Sequence, residues 1–292
     1  MNPLDVLGPK LGGLLMMAGV TDLLVNGYNQ VWVERAGHGL EPLTSPFESE
    51  AELGLLAQNL IAQGGRHLDQ ANPFADVAIS GLRVHAALAS GCNPNTHLSI
   101  RIHLNRLFGL DQLAEFGMLS QVQLLQLRQI LENKASFLIS GATGSGKTTL
   151  LRAMLAECTS ERIIALEDVA EIGIQSANFV SLQTRQANIE GRGEIALEKL
   201  VRESLRMRPD RLVVGEVRGA ELLVMLQALN TGHRGAGVTI HANSLADVMP
   251  RVNAIGRAAG VDANSMMEQM RSAFQWIIHV ENRRVIEIAS VQ

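Results

Sequence analysis

Only two cysteines, Cys92 and Cys158, occur in the 292 residues. So few exclude a disulfide scaffold and any four-cysteine zinc site, and they suit a reducing cytosol. Aromatic residues are scarce too, at 3% with one tyrosine, which leaves little material for the stacking platforms that grip single-stranded nucleic acid. Positive charge is not in excess either. The formal net charge is −4, and nothing global suggests a surface that wraps nucleic acid. Long apolar runs are missing: LGGLLMMAGV at 11–20 is soon followed by Asp22 and is too short to span a bilayer. No signal-peptide pattern is expected, so work at a membrane would depend on another protein or on the surface of this one. There is no internal repeat and no low-complexity tract.

What is present is a globular composition, 47% hydrophobic and 18% charged, enough for two modest domains. VTDLLVNGYNQVWVE at 20–34 has two β-prone runs around an Asn-Gly turn and predicts a hairpin. Leu53, Leu56, Leu60 and Ile61 mark one helical face that ends at two glycines. VAISGLRVHAAL (77–88) and HLSIRIHL (97–104) alternate like antiparallel strands. A connection follows, and then the pattern changes. A leucine-rich helix at 119–132 precedes three short apolar strands, SFLIS, RIIALED and RLVVGE, with helical stretches between them. That alternation predicts a mostly parallel α/β sheet with crossover helices. WIIHVENRRVIEIASV at 276–291 closes the chain as a hairpin.

The strand SFLIS runs into GATGSGKTT, residues Gly141, Ala142, Thr143, Gly144, Ser145, Gly146, Lys147, Thr148 and Thr149. This is a complete Walker A pattern in a strand–loop–helix setting. Its glycines let backbone N–H groups curl around phosphate oxygens, Lys147 reaches the β- and γ-phosphates, and Thr148 offers a hydroxyl to Mg²⁺. ATP with Mg²⁺ is the implied ligand. Parallel sheets present functional groups at the carboxyl ends of strands. Glu216 ends RLVVGE and is a candidate for the metal side of the site, through water. Glu167 and Asp168 end IIALED, and one of them would polarise the attacking water, with Glu167 preferred. An isolated strand-end acid more often caps a helix; the phosphate loop makes the chemical reading the better one. Residues 231–243, TGHRGAGVTIHAN, set His233 and His241 around a glycine cluster without metal-ligand spacing.

GATGSGKTT, LEDVAEI, LRMRPDRLVVGEVRGAE and LNTGHRGAGVTIHAN, in that order, resemble the secretion ATPase superfamily of type II secretion, type IV pili and type IV secretion. GGRHLDQANPFAD, RVHAAL, LSIRIH and QTRQANIEGRG resemble its tight adherence branch, the Tad or Flp pilus ATPases. The resemblance covers nearly the whole chain. It implies a mixed α+β, PAS-like domain over 1–106, a linker over 107–118 and a RecA-like P-loop ATPase core over 119–292. It implies that His233 and His241 sense nucleotide state near the γ-phosphate or the subunit boundary. Arg83 and Arg101 would reach the phosphates when the domains close, a task suited to the bidentate guanidinium fork. Arg218 and Arg185 would contact a neighbouring subunit's nucleotide. The chain would be a cytoplasmic homo-hexamer at the inner face of the membrane. It would bind an inner-membrane platform protein and no nucleic acid, and would drive pilus assembly, retraction or secretion. The alternatives are a traffic ATPase of type IV secretion and, further off, a RecA-like nucleic-acid motor. One departure is local: members of the branch often carry an extra arginine and an Asp-Gly turn before the first arginine finger, where this chain has Ala78 and a shorter turn. Many also carry a long N-terminal helical extension, whereas this chain begins almost at the first hairpin.

Overall fold

Alternating apolar and polar residues in the first hundred positions build an antiparallel sheet with one buried face. The computed structural model describes residues 3–15, 17–35, 38–102, 107–187 and 192–291. The chain divides into two units, Met1–Asn105 with Arg185–Glu194, and Arg106–Thr184 with Ile195–Gln292. In the first unit, α1 (Pro3–Leu15) precedes β1 (Val20–Asn26), β2 (Val31–Arg35) and β3 (Gly39–Leu43). Then come α2 (Glu50–Gln63), β4 (Phe74–Ile79), β5 (Leu82–Ala87) and β6 (His97–Ile102). The strands form a six-stranded sheet in the order β3-β2-β1-β6-β5-β4.

Leu23, Val25, Val77, Val84 and Ile100 point to one face and are buried with Leu53, Ala57, Leu60 and Ile61 of α2. Helix α2 starts where Ser49 accepts a hydrogen bond from the Glu52 N–H, an N-cap that satisfies an orphan donor of the first turn. Because side chains alternate with a period of two, the residues between the buried ones share the opposite face. Asp22 pairs with Arg101, Arg101 with Arg83 and Arg83 with Ala78, in one row across four strands. The β4–β5 hairpin turns on Ser80 and Gly81, both left-handed (φ 49° and 82°).

The second unit contains α3 (Leu110–Glu115), α4 (Gln121–Glu132), β7 (Phe137–Ser140), α5 (Lys147–Ala156), β8 (Ile163–Glu167) and β9 (Phe179–Gln183). It continues with α6 (Leu197–Ser204), β10 (Arg211–Val217), α7 (Glu221–Asn230), β11 (Gly237–Ile240), α8 (Val248–Ala258), α9 (Ala263–Ala273), β12 (Trp276–Glu281) and β13 (Arg284–Ser290). Seven strands run in the order β13-β12-β7-β11-β10-β8-β9. All neighbours are parallel except β12 and β13. Every residue of β7, β8 and β11 is buried, the signature of a sheet covered on both faces.

Two expectations about boundaries need correction. The stretch 107–118 is not a bare linker: it contains α3, and Leu110, Leu113 and Met118 are buried with Leu150 and Leu151 of α5. Its apolar residues recur at helical spacing, and burial holds them in the second unit. Second, the segment Arg185–Glu194, expected inside the ATPase core, groups with the first unit. Of the QTRQANIEGRG stretch, 188–191 lie outside the described residues. The Arg185 Nε donates to the Gly193 carbonyl at 2.6 Å, which ties the two ends of this excursion together.

Candidate functional site

The loop after β7 folds tightly. A Cβ on Gly141 would lie 2.2 Å from the Val280 carbonyl oxygen and 2.6 Å from Ser145 Oγ, so only glycine fits there. Helix α5 opens at Lys147 with no side-chain cap on its first turn. Its N–H groups are left for an anion, and the helix dipole favours one. Lys147 is buried (7% exposed), and its Nζ donates to the carbonyls of Gly141 at 2.8 Å and Ala142 at 2.7 Å. Burial lowers its pKa, and the charge of Glu216 opposes that shift. Lys147 is thus held folded back on its own loop.

Strand β11 separates the loop strand β7 from β10, so the segment VTIHAN runs between Lys147 and the acid of β10. The β10–β11 ladder slips between Val214 and Val217. This bulge re-aims the residues it contains, among them Glu216, and the Thr239 hydroxyl pins it by donating to the Gly215 carbonyl at 2.5 Å. One Glu216 carboxylate oxygen accepts from Arg218 Nη2 at 2.5 Å. The other lies 2.6 Å from His241 Nε2, close enough for an ion pair but outside the direction a hydrogen bond needs. Burial lowers the His241 pKa, and Glu216 draws it back up. Lys147, Glu216 and His241 therefore feel one another's charge.

Glu167 ends β8, buried at 4% exposure. One carboxylate oxygen accepts the N–H groups of Glu171 at 2.9 Å and Ile172 at 3.0 Å; the other is buried without a partner among the described residues. Gly215 makes room for it, since a Cβ there would lie 3.0 Å from Glu167 Cγ. Burial pushes the carboxyl up to about 7, against the pull of the two N–H donors. Asp168 is exposed and accepts from the Thr184 hydroxyl at 3.2 Å. The raised pKa of Glu167 suits proton transfer near neutrality.

The raised pKa carries a stability consequence. Between about 4.5 and about 7 the unfolded chain has released this proton while the folded chain keeps it. The native state then binds more protons, so this group's contribution to stability falls as pH rises through that window and is flat above it. A shift of that size corresponds to about 3 kcal/mol. Glu167→Gln should therefore unfold at higher denaturant concentration than wild type at pH 8 and at a similar concentration at pH 4.5, measured by urea titration at both.

The other expected residues fall in different places. His233 precedes β11 and His241 follows it, so the two histidines lie at opposite ends of that strand. His233 Nδ1 is 3.1 Å from the Ala228 carbonyl at the end of α7. Of the two places expected for it, near the γ-phosphate or at the subunit boundary, the structure speaks only to the first: strand β11 separates it from His241, and its ring lies against the last turn of a helix. Arg83 and Arg101 belong to the first unit, side by side across β5 and β6. Arg83 forks onto Asp76, with Nη2 to Oδ2 at 2.6 Å and Nε to Oδ2 at 3.1 Å. Arg101 Nε donates to Asp22 Oδ1 at 2.7 Å. Arg185 is in the first unit as well.

Two polar residues were missed in the sequence, one beside the loop strand and one at the turn after β10. His279, on β12 directly beside Ser140, is 4% exposed, and its Nδ1 lies 2.9 Å from Ser140 Oγ beneath the loop. The signal was a lone polar residue inside the apolar run WIIHV. Glu221 accepts the N–H groups of Arg218 at 2.5 Å and Gly219 at 2.8 Å, fixing the turn that carries Arg218. An acid in the first turn of a helix was the available clue.

Known proteins resemble this chain in sequence and in fold. Residues 13–280 match the family described as Type II/IV secretion system protein. A putative conjugal transfer protein of Mycobacterium tuberculosis is 41% identical over 289 residues, covering 94% of this chain and 82% of that one. The conjugal transfer protein TrbB of Rhizobium radiobacter is 31% identical over 300 residues, covering 99% and 88%. The ATPase DotB of Legionella pneumophila shares the fold with a TM-score of 0.63 at 21% identity, over 89% of this chain and 72% of that one. The seven-stranded unit is a RecA-like core, and the six-stranded unit is a smaller mixed α+β domain. By the span of that match and the identity of its relatives, the chain belongs to the type II/IV secretion system protein family.

Proposed function

We propose that the chain hydrolyses ATP at the loop 141–149 and works as the motor of a type IV secretion or conjugal transfer machine. The observation that carries this reading is the convergence of Lys147, Glu216 and His241 within reach of one another's charge, with Glu167 at a neighbouring strand end. Lys147 would leave the Gly141 and Ala142 carbonyls for the β- and γ-phosphates. Thr148 and Glu216 supply hard oxygen donors that suit Mg²⁺. When bound, it would neutralise phosphate charge. Glu216 would have to exchange Arg218 for that partner, and Glu167 would take the proton of the attacking water. His241, with its pKa lowered by burial, would register the state of Glu216.

The named relatives are conjugal transfer proteins, and they favour the type IV secretion reading over the Tad pilus reading. The pilus reading keeps the resemblance of GGRHLDQANPFAD and QTRQANIEGRG. A hexameric ring, a cytoplasmic position and an inner-membrane platform partner belong to the same proposal. No helix among the described residues is long and apolar enough to cross a membrane. The test is phosphate release from ATP by the purified chain. Release should require Mg²⁺ and stop with EDTA; release that continues unchanged in EDTA contradicts the reading.

Arg83 and Arg101 enter as phosphate contacts made when the domains close within one chain, each leaving its aspartate. Mixing Arg101→Ala chains with Lys147→Ala chains tests this. A contact within one chain leaves every chain in the mixture incomplete, and no activity should return. Substantial recovery in rings shown to be mixed would make Arg101 a residue that acts between subunits.

A further inference from the structure

The tip of the β12–β13 hairpin lies against the phosphate loop. The Arg283 N–H donates to the Ser145 carbonyl at 2.9 Å, and a Cβ on Gly146 would lie 3.7 Å from Arg283 Cα. The tip is a two-residue turn in which Asn282 and Arg283 are both left-handed, with φ 47° and 60°. Such turns take Asn-Gly by preference, because the second position has no steric reason to carry a side chain and glycine enters it freely. Here an arginine occupies it, and its side chain is exposed. A long cationic side chain kept in a strained backbone position points to a task outside folding.

Sheet order suggests the task. His241, Glu216 and Glu167 come from β11, β10 and β8, all on one side of β7, whereas β12 and β13 lie on its other side. A nucleotide whose γ-phosphate faces the three acid and histidine groups runs its ribose and base toward the hairpin. On the ATP-site reading proposed above, we infer that Arg283 is a nucleotide-positioning residue whose guanidinium plane stacks on the purine. Guanidinium is planar and weakly hydrated, so it stacks well on aromatic faces, and lysine does not replace it.

Two titrants separate this from a phosphate contact: ADP, which has a base, and inorganic tripolyphosphate, which has none. Both are measured by calorimetry on the purified chain. Arg283→Gly fits the left-handed position, so its melting temperature should equal or exceed that of wild type. Its ADP affinity should fall roughly fivefold or more, as loss of a cation stacked on a ring implies, while tripolyphosphate affinity stays unchanged. Arg283→Lys should lose most of the same ADP affinity. In turnover, KM for ATP should rise with kcat unchanged, the mark of binding shared by ground and transition states. Equal ADP affinity in Arg283→Gly and wild type overturns the inference, as does a parallel loss of tripolyphosphate. If wild type binds neither titrant, the ATP-site reading itself falls, and this inference falls with it.

Discussion

Lys147→Ala should leave a folded protein that does not turn over ATP. Among the described residues the hydrogen bonds of Lys147 Nζ go to the Gly141 and Ala142 carbonyls of its own loop, and alanine is the best helix former for the first position of α5. The core packing beneath, with Leu150 and Leu151 fully buried, is untouched, so the thermal unfolding midpoint should stay near that of wild type. Chemistry should suffer because the cation that would swing from those carbonyls onto the developing phosphate charge is removed. Loss of one such group costs at least about 100-fold in rate. Phosphate release under saturating ATP is the readout, and wild-type release would end the assignment.

Glu167→Gln should bind ATP and fail to cleave it. Glutamine keeps the size of the side chain and an oxygen that can accept from Glu171 and Ile172, so the loop beyond β8 stays in place. What disappears is the group proposed to take the water proton, worth at least about 100-fold. On this reading the same group should make wild-type kcat/KM fall as pH drops through about 7, the value to which burial raises it, because the protonated carboxyl cannot serve as a base. The variant should lose that limb of the profile. If Glu216→Gln abolishes hydrolysis and Glu167→Gln does not, the two acids have exchanged roles.

Most of the central sheet was legible because its strands are short apolar runs that end in chemically distinctive residues. SFLIS, IIALE and RLVVGEV became β7, β8 and β10, and both outer hairpins of the chain formed as patterned. Strand β9 was not found: FVSLQ is half-exposed at the sheet edge, with no clean period to mark it. Strand order was not legible either, since pairing partners are chosen by packing across the sheet. That is why the insertion of β11 between β7 and β10, which carries His241 to Glu216, came only from the structure. The same segment shows the limit of motif reading. TGHRGAGVTIHAN appears as one functional stretch, yet the extended backbone of β11 sends its two histidines to opposite ends of a strand. The burial of Glu167 was equally out of reach, because it depends on Gly215, a residue of another strand.

The most direct test of the central claim is the identity of the nucleotide left on the protein after incubation with Mg²⁺ and ATP and rapid removal of free ligand. Wild type should retain ADP, Glu167→Gln should retain intact ATP, and Lys147→Ala should retain neither. ADP on Glu167→Gln at the wild-type level, or nucleotide retained by Lys147→Ala, would contradict a single site in which Lys147 holds the phosphates and Glu167 drives their cleavage.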